Sequence, residues 1–445
     1  MVFVYLPFFF SPKSIAVKSF QSFITIVAIA LFFLSASGCG TMKVPMTAQD
    51  FISPNQFQGT DTERIQSAVD YAHQYDLPVR IPRANSNGSR IWMIDEAILL
   101  PSHIQIILDN CTLQLSDQSR DNMFRSNNVG QGIKDPQWLH GISITGKGHV
   151  MLRGADHPRS TGDGGRTLTL DPQKEQEAGH WRVSYGSDAG KEGVRQKGDW
   201  RNIMILMAFV DGFSLENVHI ENAHAWSVSF ERVHNARLSD IRIHNIEYVV
   251  VDGVQRMTSN KDGINLRQGC KNFTIHNITG QTGDDFIALS SLDTRPDQPK
   301  EHGDISSTMV TASRYYGPDD DIENISISNI RCSNRYRAIA IRASDRARIH
   351  HVYIDGLVFN AIEDRYDAVL LGGKGYGKMN ITGGISDIHI MNVVGNGKSL
   401  VRIEAPVRNC YFMNGIYTGS NENPTLYTIE SSEVEGIREI NWKKF

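Results

Sequence analysis

A four-residue pattern recurs along the chain: an apolar residue, a variable residue, then Asn, Asp or Gly, and usually a second apolar residue. The first two copies are 23 residues apart and the last two are 22 apart. A repeat of this length indicates stacked coils, because one coil alone cannot bury its apolar face. Asparagine at the third position suits a tight corner, since it tolerates left-handed backbone. The copies are LENV (215–218), LSDI (238–241), IHNI (275–278), ISNI (327–330), IDGL (354–357), IMNV (390–393) and FMNG (412–415).

This repeat predicts an all-β fold, a single-stranded parallel β-helix. The step of 52 residues between IHNI and ISNI is interpreted as two coils with a loop, and other long steps as coils with insertions. A β-sandwich is the weaker alternative, because two-residue hairpin signals are scarce. The glycine- and charge-rich segment 154–201 and the segment 292–320 are predicted insertions that could wall a site.

A helix is predicted over residues 60–75, ahead of the repeat. Thr60 and Glu63 form a capping box, in which each side chain bonds the backbone amide of the other residue. This helix would cover the open N-terminal end of the stack, which would otherwise expose unpaired strand edges. Its apolar face is formed by Ile65, Ala68, Val69 and Ala72. No linker follows Thr60, so residues 60–445 are predicted to form one domain.

The chain begins with the pattern of an export signal. Lys13 and Lys18 precede an apolar run over 20–34, and the small-residue sequence SASGC ends at Cys39. This layout is too short for a confident membrane span. The ending resembles a bacterial lipobox, which predicts lipidation of Cys39, a tether over 40–59 and a place in the bacterial cell envelope, facing the periplasm or the exterior. Ordinary cleavage with secretion, or an uncleaved anchor, are the alternatives.

Charge and cysteine content exclude several classes of protein. The formal charge of −4 over 445 residues argues against bulk attraction to nucleic acid or to a membrane surface. No C-x-x-C metal or redox pattern is present. Each of the remaining cysteines lies in or beside an apolar strand-like run, so we expect buried free thiols rather than disulfides. They are Cys111, Cys270, Cys332 and Cys410.

Three aspartates lie in two segments, NKDGINL and TGDDFIALSS, that superpose when shifted by 23 residues. The superposition places Asp285 over Asp262 and Asp284 over Lys261. Neighbouring strands are about 4.8 Å apart, so the first pair would face each other across one strand spacing. Like charges at that range raise a pKa and are costly to hold together. The arrangement therefore predicts a catalytic carboxylate cluster rather than ordinary turn aspartates.

Strict alternation along a strand would turn Asp285 into the core, where an unpaired charge is costly. Gly283, before the aspartate pair, and Gly263, after Asp262, are predicted to permit a bulge or turn that directs the carboxylates to one surface. Elsewhere, Trp226 and the pair Tyr315-Tyr316 could equally stack on sugar rings or pack in a wall.

These segments resemble the motifs of one enzyme family. NKDG and GDD resemble the N-T-D-G and [GQ]-D-D motifs of glycoside hydrolase family 28, the polygalacturonases and rhamnogalacturonases. The stretch 221–243 is similar to that family's N-S-P-x-W segment, one coil before the site. TDTERIQSAVD resembles the N-terminal cap of pectin-degrading β-helix proteins. The resemblance covers most of residues 60–360.

The resemblance implies a right-handed β-helix and an inverting hydrolysis. Asp284 matches the general acid, and Asp262 with Asp285 matches the pair that activates water. The family's histidine-glycine motif has its nearest match at His302-Gly303. Its R-I-K motif aligns with residues 340–342, so Ala340 stands for the arginine and Arg342 for the lysine, and Arg335 or Arg337 could supply the lost charge. The substrate-binding residues implied are Asn260, Lys261, Arg267, His302, Arg337 and Arg342.

Lys261 replaces the family's threonine and is expected to point along the cleft toward substrate. The expected substrate is an acidic, pectin-like polysaccharide or oligosaccharide, bound by a monomer without cofactor or metal. A polysaccharide lyase is the first alternative, with Lys261, Arg267 or Arg342 as base or neutralising group. A non-catalytic glycan-binding β-helix is the second, although it has no need for three crowded aspartates.

Overall fold

The chain is described by a computed structural model over residues 50–117, 119, 121–156, 166–167, 195–196, 200–245, 248–251, 254–257, 261–293, 300–304, 307–373, 377–420, 427–430 and 433–444. The predicted export signal, with Cys39, and most of the predicted insertion at 154–201 lie outside these residues. In the part that is described, no helix has both the length and the apolar character to cross a membrane.

The molecule is a parallel β-helix in which each strand pairs with the strand one coil later, within a sheet of 23 strands. The helix α1 (Asp61–Tyr75) precedes the coils, and short 3₁₀ turns span Pro54–Gln56, Trp200–Asn202 and Pro318–Asp320. The strands are β1 (Val79–Pro82), β2 (Ile91–Ile94), β3 (Ile98–Leu100), β4 (Gln105–Asp109), β5 (Thr112–Leu115), β6 (Phe124–Ser126), β7 (Leu139–Lys147), β8 (Met151–Arg153), β9 (Arg166–Thr167), β10 (Arg195–Gln196), β11 (Ile205–Glu221), β12 (Val228–Asn245), β13 (Tyr248–Val251), β14 (Val254–Met257), β15 (Ile264–Leu266), β16 (Lys271–Thr282), β17 (Ile287–Ser291), β18 (Ile322–Asn334), β19 (Ile339–Ala343), β20 (Ile349–Ala361), β21 (Val369–Leu371), β22 (Ile385–Gly395), β23 (Val401–Ile403), β24 (Val407–Tyr417), β25 (Tyr427–Ile429), β26 (Val434–Glu435) and β27 (Arg438–Lys444).

One stack of strands carries the candidate site, and we call it the third column. It consists of β3, β6, the first residues of β11 and β12, and then β15, β17, β19, β21, β23 and β25. Inward side chains alternate with outward ones along each strand. Ile264 and Leu266, for example, join the core, whereas Asn265 between them does not. The outer face of the third column therefore presents one or two side chains per coil to the outside of the helix.

The predicted repeat is confirmed by the strand register. The first residues of all seven copies are paired in succession, from Leu215 with Leu238 to Ile390 with Phe412. The prediction of two coils between IHNI and ISNI is wrong, because Ile275 pairs directly with Ile327. The 52-residue step is therefore a single long coil, whose extra length lies in the segment between β17 and β18.

Asparagine occupies the predicted corner in the predicted backbone conformation. Asn277 and Asn329 have φ values of 56° and 52°, in the left-handed region. Their side chains also form a ladder along the stack: Asn329 Nδ2 donates to Asn277 Oδ1 over 3.0 Å, and Asn277 Nδ2 donates to Asp240 Oδ1 over 2.6 Å. The corner thus uses asparagine both for its backbone and for its amide.

The N-terminal helix and its cap are confirmed. The Thr60 amide donates to Glu63 Oε2 over 2.8 Å, and the Glu63 amide donates to Thr60 Oγ1 over 3.2 Å. The predicted apolar face is fully buried and belongs to the same core as the coils. The four cysteines are buried free thiols, also as predicted. Burial raises the pKa of Cys111, Cys270 and Cys410 to about 12.

A hairpin lies between β12 and β15 and is absent from the sequence prediction. Strands β13 and β14 pair antiparallel, with Val251 opposite Val254. The sequence does contain a signal for it, because Asp252-Gly253 between β-branched residues is typical of a two-residue hairpin turn. The hairpin is inserted into a coil of the β-helix, so the repeat pattern on either side of it does not predict it.

Candidate active site

The aspartates lie where the third-column strands begin, at a break in their alternation. Phe286 and Ile287 are consecutive, yet both belong to the core. Asp285, just before them, is thereby directed to the outer face, where it meets Arg342. The same pair of inward residues recurs one coil later at Ala338 and Ile339. The predicted break in alternation is therefore present.

The glycines serve this break differently from the prediction. Gly283 is absent from the residues with positive φ, so it does not supply a left-handed turn. Gly263 allows close packing of adjacent coils: a Cβ at this position would lie 2.3 Å from the carbonyl oxygen of Phe286. The break occurs after the aspartate pair, at Phe286, because this aromatic ring is drawn into the core.

The predicted register of the two acidic segments is confirmed. Ile264 pairs with Ile287, and the Gly263 amide donates to the Asp285 carbonyl over 3.0 Å. Asp262 and Asp285 therefore occupy equivalent positions on adjacent coils, about 4.8 Å apart along the stack. Both are buried, with 7% and 3% of their surface exposed, whereas Asp284 is half-buried. The site thus combines two recessed carboxylates with one that is more accessible.

Two arginines of the next coil hold Asp285. Arg342 Nη2 donates to Asp285 Oδ2 over 2.5 Å, and Arg337 Nη1 donates to Oδ1 over 3.2 Å. Burial by itself would raise the pKa of Asp285, but the two guanidinium groups outweigh it and hold that pKa below its usual value. Asp285 is therefore a carboxylate at neutral pH. Of the two arginines considered for the lost charge, Arg337 contacts this aspartate, and Arg335 pairs with Glu363 at 2.8 Å.

The turn that carries Asp284 is fastened to its neighbours. The Asp285 amide donates to Asp284 Oδ1 over 3.0 Å, which orients the carboxyl group. The Asp284 carbonyl oxygen accepts from Thr282 Oγ1 at 2.7 Å and from Asn334 Nδ2 at 2.8 Å. Asn334 is fully buried and also donates to the carbonyl of Arg337 over 3.1 Å. It holds the two turns of the site together.

Asn334 was not predicted as a site residue. The signal that could have found it is the 52-residue register between neighbouring coils, which places Asn334 beside Thr282. If the 52-residue step is interpreted as two coils, Asn334 is no longer aligned with Thr282, and the contact is not predicted.

Lys261 does not point along the cleft, contrary to the prediction. Its side chain is fully buried, and its Nζ atom has no hydrogen-bond partner among the residues that the structure describes. Burial lowers the pKa of this amine to about 7. The apolar methylene groups of the Lys261 side chain are buried inside the fold, away from water. Asn260, the preceding candidate, lies outside the described residues.

Arg267 and Trp226 belong to the wall of the site. The guanidinium carbon of Arg267 lies 5.2 Å from the centre of the Trp226 ring, and both side chains are buried. Of the two possibilities for Trp226, the structure shows wall packing. Tyr315 is also buried, with its hydroxyl donating to Asp321 over 2.7 Å, whereas Tyr316 is exposed.

His302 is not brought to the aspartates. Its Nδ1 accepts from the Ala312 amide over 2.8 Å, and its ring lies 5.4 Å from that of Phe209. Phe209 follows the first residues of β11, which pair with the start of β12. It therefore lies at the opposite end of the third-column strands from the turn that carries Asp262. Ile203 occupies the position of Asp262 two coils earlier. The six residues from there to Phe209, at about 3.3 Å each, put this separation at roughly 20 Å along the strands. Burial lowers the pKa of His302, which favours its neutral form.

Of the predicted residues, the structure brings together Asp262, Asp284, Asp285, Arg337 and Arg342. In the described part of the chain, no group of three or more His, Cys, Asp or Glu side chains is arranged to hold a metal ion. The arrangement is suited to proton transfer between carboxyl groups and a bound molecule, with the charge of one carboxylate fixed by arginine.

Comparisons with known proteins bear on this site. Residues 169–348 match the family described as Glycosyl hydrolases family 28. Curated protein sequences include no match. The fold is similar to the family 28 exopolygalacturonase of Yersinia enterocolitica, with a TM-score of 0.50 and 13% identity over 87% of this chain and 78% of that one.

Two further solved structures are similar to this chain. The tailspike protein of E. coli bacteriophage HK620, a double mutant, has a TM-score of 0.50 and 11% identity over 88% of this chain and 65% of that one. A hyperthermoactive exopolygalacturonase from Thermotoga maritima has a TM-score of 0.49 and 13% identity over 85% of this chain and 89% of that one. At such identities the structural likeness establishes the fold, and the family match carries the enzymatic class. The chain is therefore a right-handed parallel β-helix protein in which residues 169–348 match glycosyl hydrolase family 28.

Proposed function

We propose that this site hydrolyses an acidic, uronate-containing glycan of the pectin type, with inversion at the anomeric carbon. The observation that carries the proposal is the stacking of Asp262 and Asp285 on adjacent coils with Asp284 beside them. Three carboxyl groups in one recess are costly unless their protonation states differ. The arginines beside Asp285 provide that difference.

The roles follow from the electrostatics. A general acid must hold a proton, and Asp285 cannot, because Arg342 and Arg337 keep its pKa low. Asp285 therefore serves with Asp262 as the pair that holds and deprotonates water. Asp284, the most exposed of the three, is left to protonate the glycosidic oxygen.

The bond changes are those of a single displacement. Asp284 gives its proton to the glycosidic oxygen as the bond from that oxygen to the anomeric carbon breaks. Water attacks the same carbon from the opposite face while its proton passes to a carboxylate of Asp262 or Asp285. The products are a sugar with an inverted hemiacetal and a free alcohol on the leaving sugar. Inverting enzymes separate acid and base by about 6.5–9.5 Å to leave room for this water.

The acidic substrate is supported by the arginines near the site. Arg337 lies partly exposed beside Asp285, whereas Arg402, partly exposed on the outer face of a later coil, is already paired with Glu404 and Glu430. Guanidinium groups suit carboxylates because they present paired donors in one plane. The polygalacturonase similarity named in the structural comparison agrees with such a ligand, although the family's arginine position is held by Ala340.

A lyase reaction is less well supported. It would need a base that reaches the substrate, and the three basic residues considered for it are engaged elsewhere or hidden. Lys261 is fully buried, Arg267 lies over Trp226, and Arg342 is bonded to Asp285.

The test is to incubate the protein with acidic oligosaccharides from plant, algal and bacterial sources and to follow the products by proton NMR. We expect the first product to carry the inverted anomeric configuration before mutarotation equilibrates it. Retained configuration would contradict the inverting mechanism. An unsaturated product absorbing in the ultraviolet would instead establish a lyase.

A further inference from the structure

The outer face of the third column is closed on one side of the aspartates. Leu206 and Ala208 point outward from β11, yet both are fully buried. They are covered by an apolar cluster outside the coils, which we call the upstream wall. The upstream wall consists of Val129, Trp200, Ile203, Trp226 and Val310.

The upstream wall directly adjoins the catalytic carboxylates. Val228 pairs with Ile264, so Trp226 occupies the position of Asp262 one coil earlier. The Ser227 amide donates to the Asp262 carbonyl over 3.0 Å, which confirms that the two turns touch. An indole ring therefore fills the place where a groove would continue upstream. At about 4.8 Å per coil, the closure begins within one coil of Asp262.

Glu231 fastens the segment that completes the upstream wall. Its side chain points outward from β12 but is fully buried. Its carboxylate accepts from the Val310 amide over 3.0 Å and from the Thr311 amide over 2.8 Å. The Trp200 amide donates to the Ser307 carbonyl over 2.9 Å, which ties a second strand of chain to the same segment. The upstream wall is thus bonded in place as well as packed.

The opposite side of the site carries partly exposed polar groups. The side chains of Arg337, Arg402 and Glu430 lie on the coils of β19, β23 and β25 and are 20%, 18% and 32% exposed. These three groups are polar and reach solvent, in contrast to Leu206, Ala208 and Trp226 upstream, although Ala340 on β19 and Leu370 on β21 are buried. The later coils are therefore the side of the site on which polar groups are available to contact a glycan chain.

We infer that the cleft is blind on its upstream side and that the protein removes sugar units from a chain end rather than cutting within the chain. This inference rests on the proposed hydrolase function and adds the mode of attack to it. A chain interior needs a groove that is open on both sides of the cleaved bond. Here the terminal unit would lie against Trp226, with the rest of the chain extending over the coils that carry Arg337 and Arg402.

The first experiment uses the full chain and a polymeric acidic glycan on which it is active. We expect a single small product from the earliest time points, with little loss of viscosity per bond cleaved. A ladder of intermediate lengths with a rapid fall in viscosity would overturn the inference while leaving the hydrolase standing. Loss of all hydrolysis from a broad substrate panel would overturn both.

The second experiment opens the upstream wall. Glu231→Ala removes the acceptor for two backbone amides, and Trp226→Ala empties the place beside Asp262. We expect either variant to release longer oligosaccharides early in the reaction, which a loss of stability alone would not produce. The matched control is Asp61→Ala, which removes another buried carboxylate, one that accepts from the Met93 amide over 2.9 Å at the N-terminal cap. This control should lower stability and keep the single product. An unchanged product pattern in folded Glu231→Ala and Trp226→Ala proteins would contradict the blind cleft.

Discussion

Arg342 donates to Asp285 across the step between two coils, with 2.5 Å between Nη2 and Oδ2. Both side chains are almost completely buried, so water screens this pair little. The pair makes Asp285 an anion whatever its neighbours do at neutral pH. Because Asp285 is ionised, the proton for the leaving group has to come from another aspartate of the cluster.

The division of roles among the aspartates predicts different responses to substitution. Each of Asp262→Asn, Asp284→Asn and Asp285→Asn should lower kcat by roughly 10²–10⁴-fold, the usual contribution of one acid or base group. A substrate with a good leaving group should restore part of the rate of Asp284→Asn, since that leaving group needs little protonation. It should not restore the other two. Steady-state kinetics with natural and activated substrates measures this, and equal rescue of all three would refute the assignment.

Removal of Arg342 should cost stability in a pH-dependent manner. Arg342→Met leaves a buried carboxylate with one fewer partner, for which about 3–5 kcal/mol is typical, reduced here because Arg337 remains. The pKa of Asp285 lies below its ordinary value of 3.8 in the folded chain. Its ion pairs therefore contribute fully above that value, and the contribution is lost as the pH falls through the lower folded pKa. Denaturant titrations at neutral and acidic pH should show the difference from wild type shrinking in acid.

A control for this prediction lies nearby. Arg346 pairs with Asp293 at 3.5 Å, but its side chain is 63% exposed. Arg346→Met should change stability by less than about 1 kcal/mol, because exposed ion pairs contribute little. If it destabilised the chain as much as Arg342→Met, burial would not be the reason for the strength of the Asp285 pair.

Asn334 should affect catalysis through the position of Asp284. Asn334→Ala removes the donor to the carbonyls of Asp284 and Arg337, which lets the two turns shift relative to each other. We expect kcat to fall with little change in KM, and stability to fall by about 1–3 kcal/mol from the buried groups left unpaired. The matched control is Asn380→Ala, since Asn380 is also buried but donates to the Ile381 and Pro406 carbonyls, not to the turns that carry Asp284 and Arg337. It should lose similar stability and keep its kcat; equal losses of kcat would argue against a positioning role for Asn334.

We propose that Cys39 is lipidated and anchors the protein in the bacterial cell envelope. The basis is the sequence alone, with two lysines, an apolar run and SASGC ahead of the cysteine. Cys39→Ala should move the protein from the membrane fraction to the soluble fraction, as followed by fractionation and by labelling with a fatty-acid analogue. Wild-type protein that is already soluble and unlabelled would exclude the anchor.

The architecture and the centre of the site follow from local features of the sequence. The corner residues of the seven copies and the strand pattern between them are local features, and all seven corners share a left-handed backbone. The alignment of Asp262 with Asp285 followed from the same periodicity, because equal spacing on equivalent strands leaves one register. The capped helix was predictable for a similar reason, since its box and apolar face are complete within residues 60–75.

The surroundings of those carboxylates depend instead on contacts between distant parts of the chain. Lys261 is buried and His302 lies at the other end of the strands, although both were predicted to serve the substrate. Asn334 and the upstream wall were missed. These features depend on the way in which long insertions fold back over the coils, and on which side chains those insertions cover. Such contacts join residues far apart in the chain with no fixed spacing, so periodicity carries no information about them. Local repetition specifies the stack of coils, whereas the packing of unequal loops against it shapes the cleft.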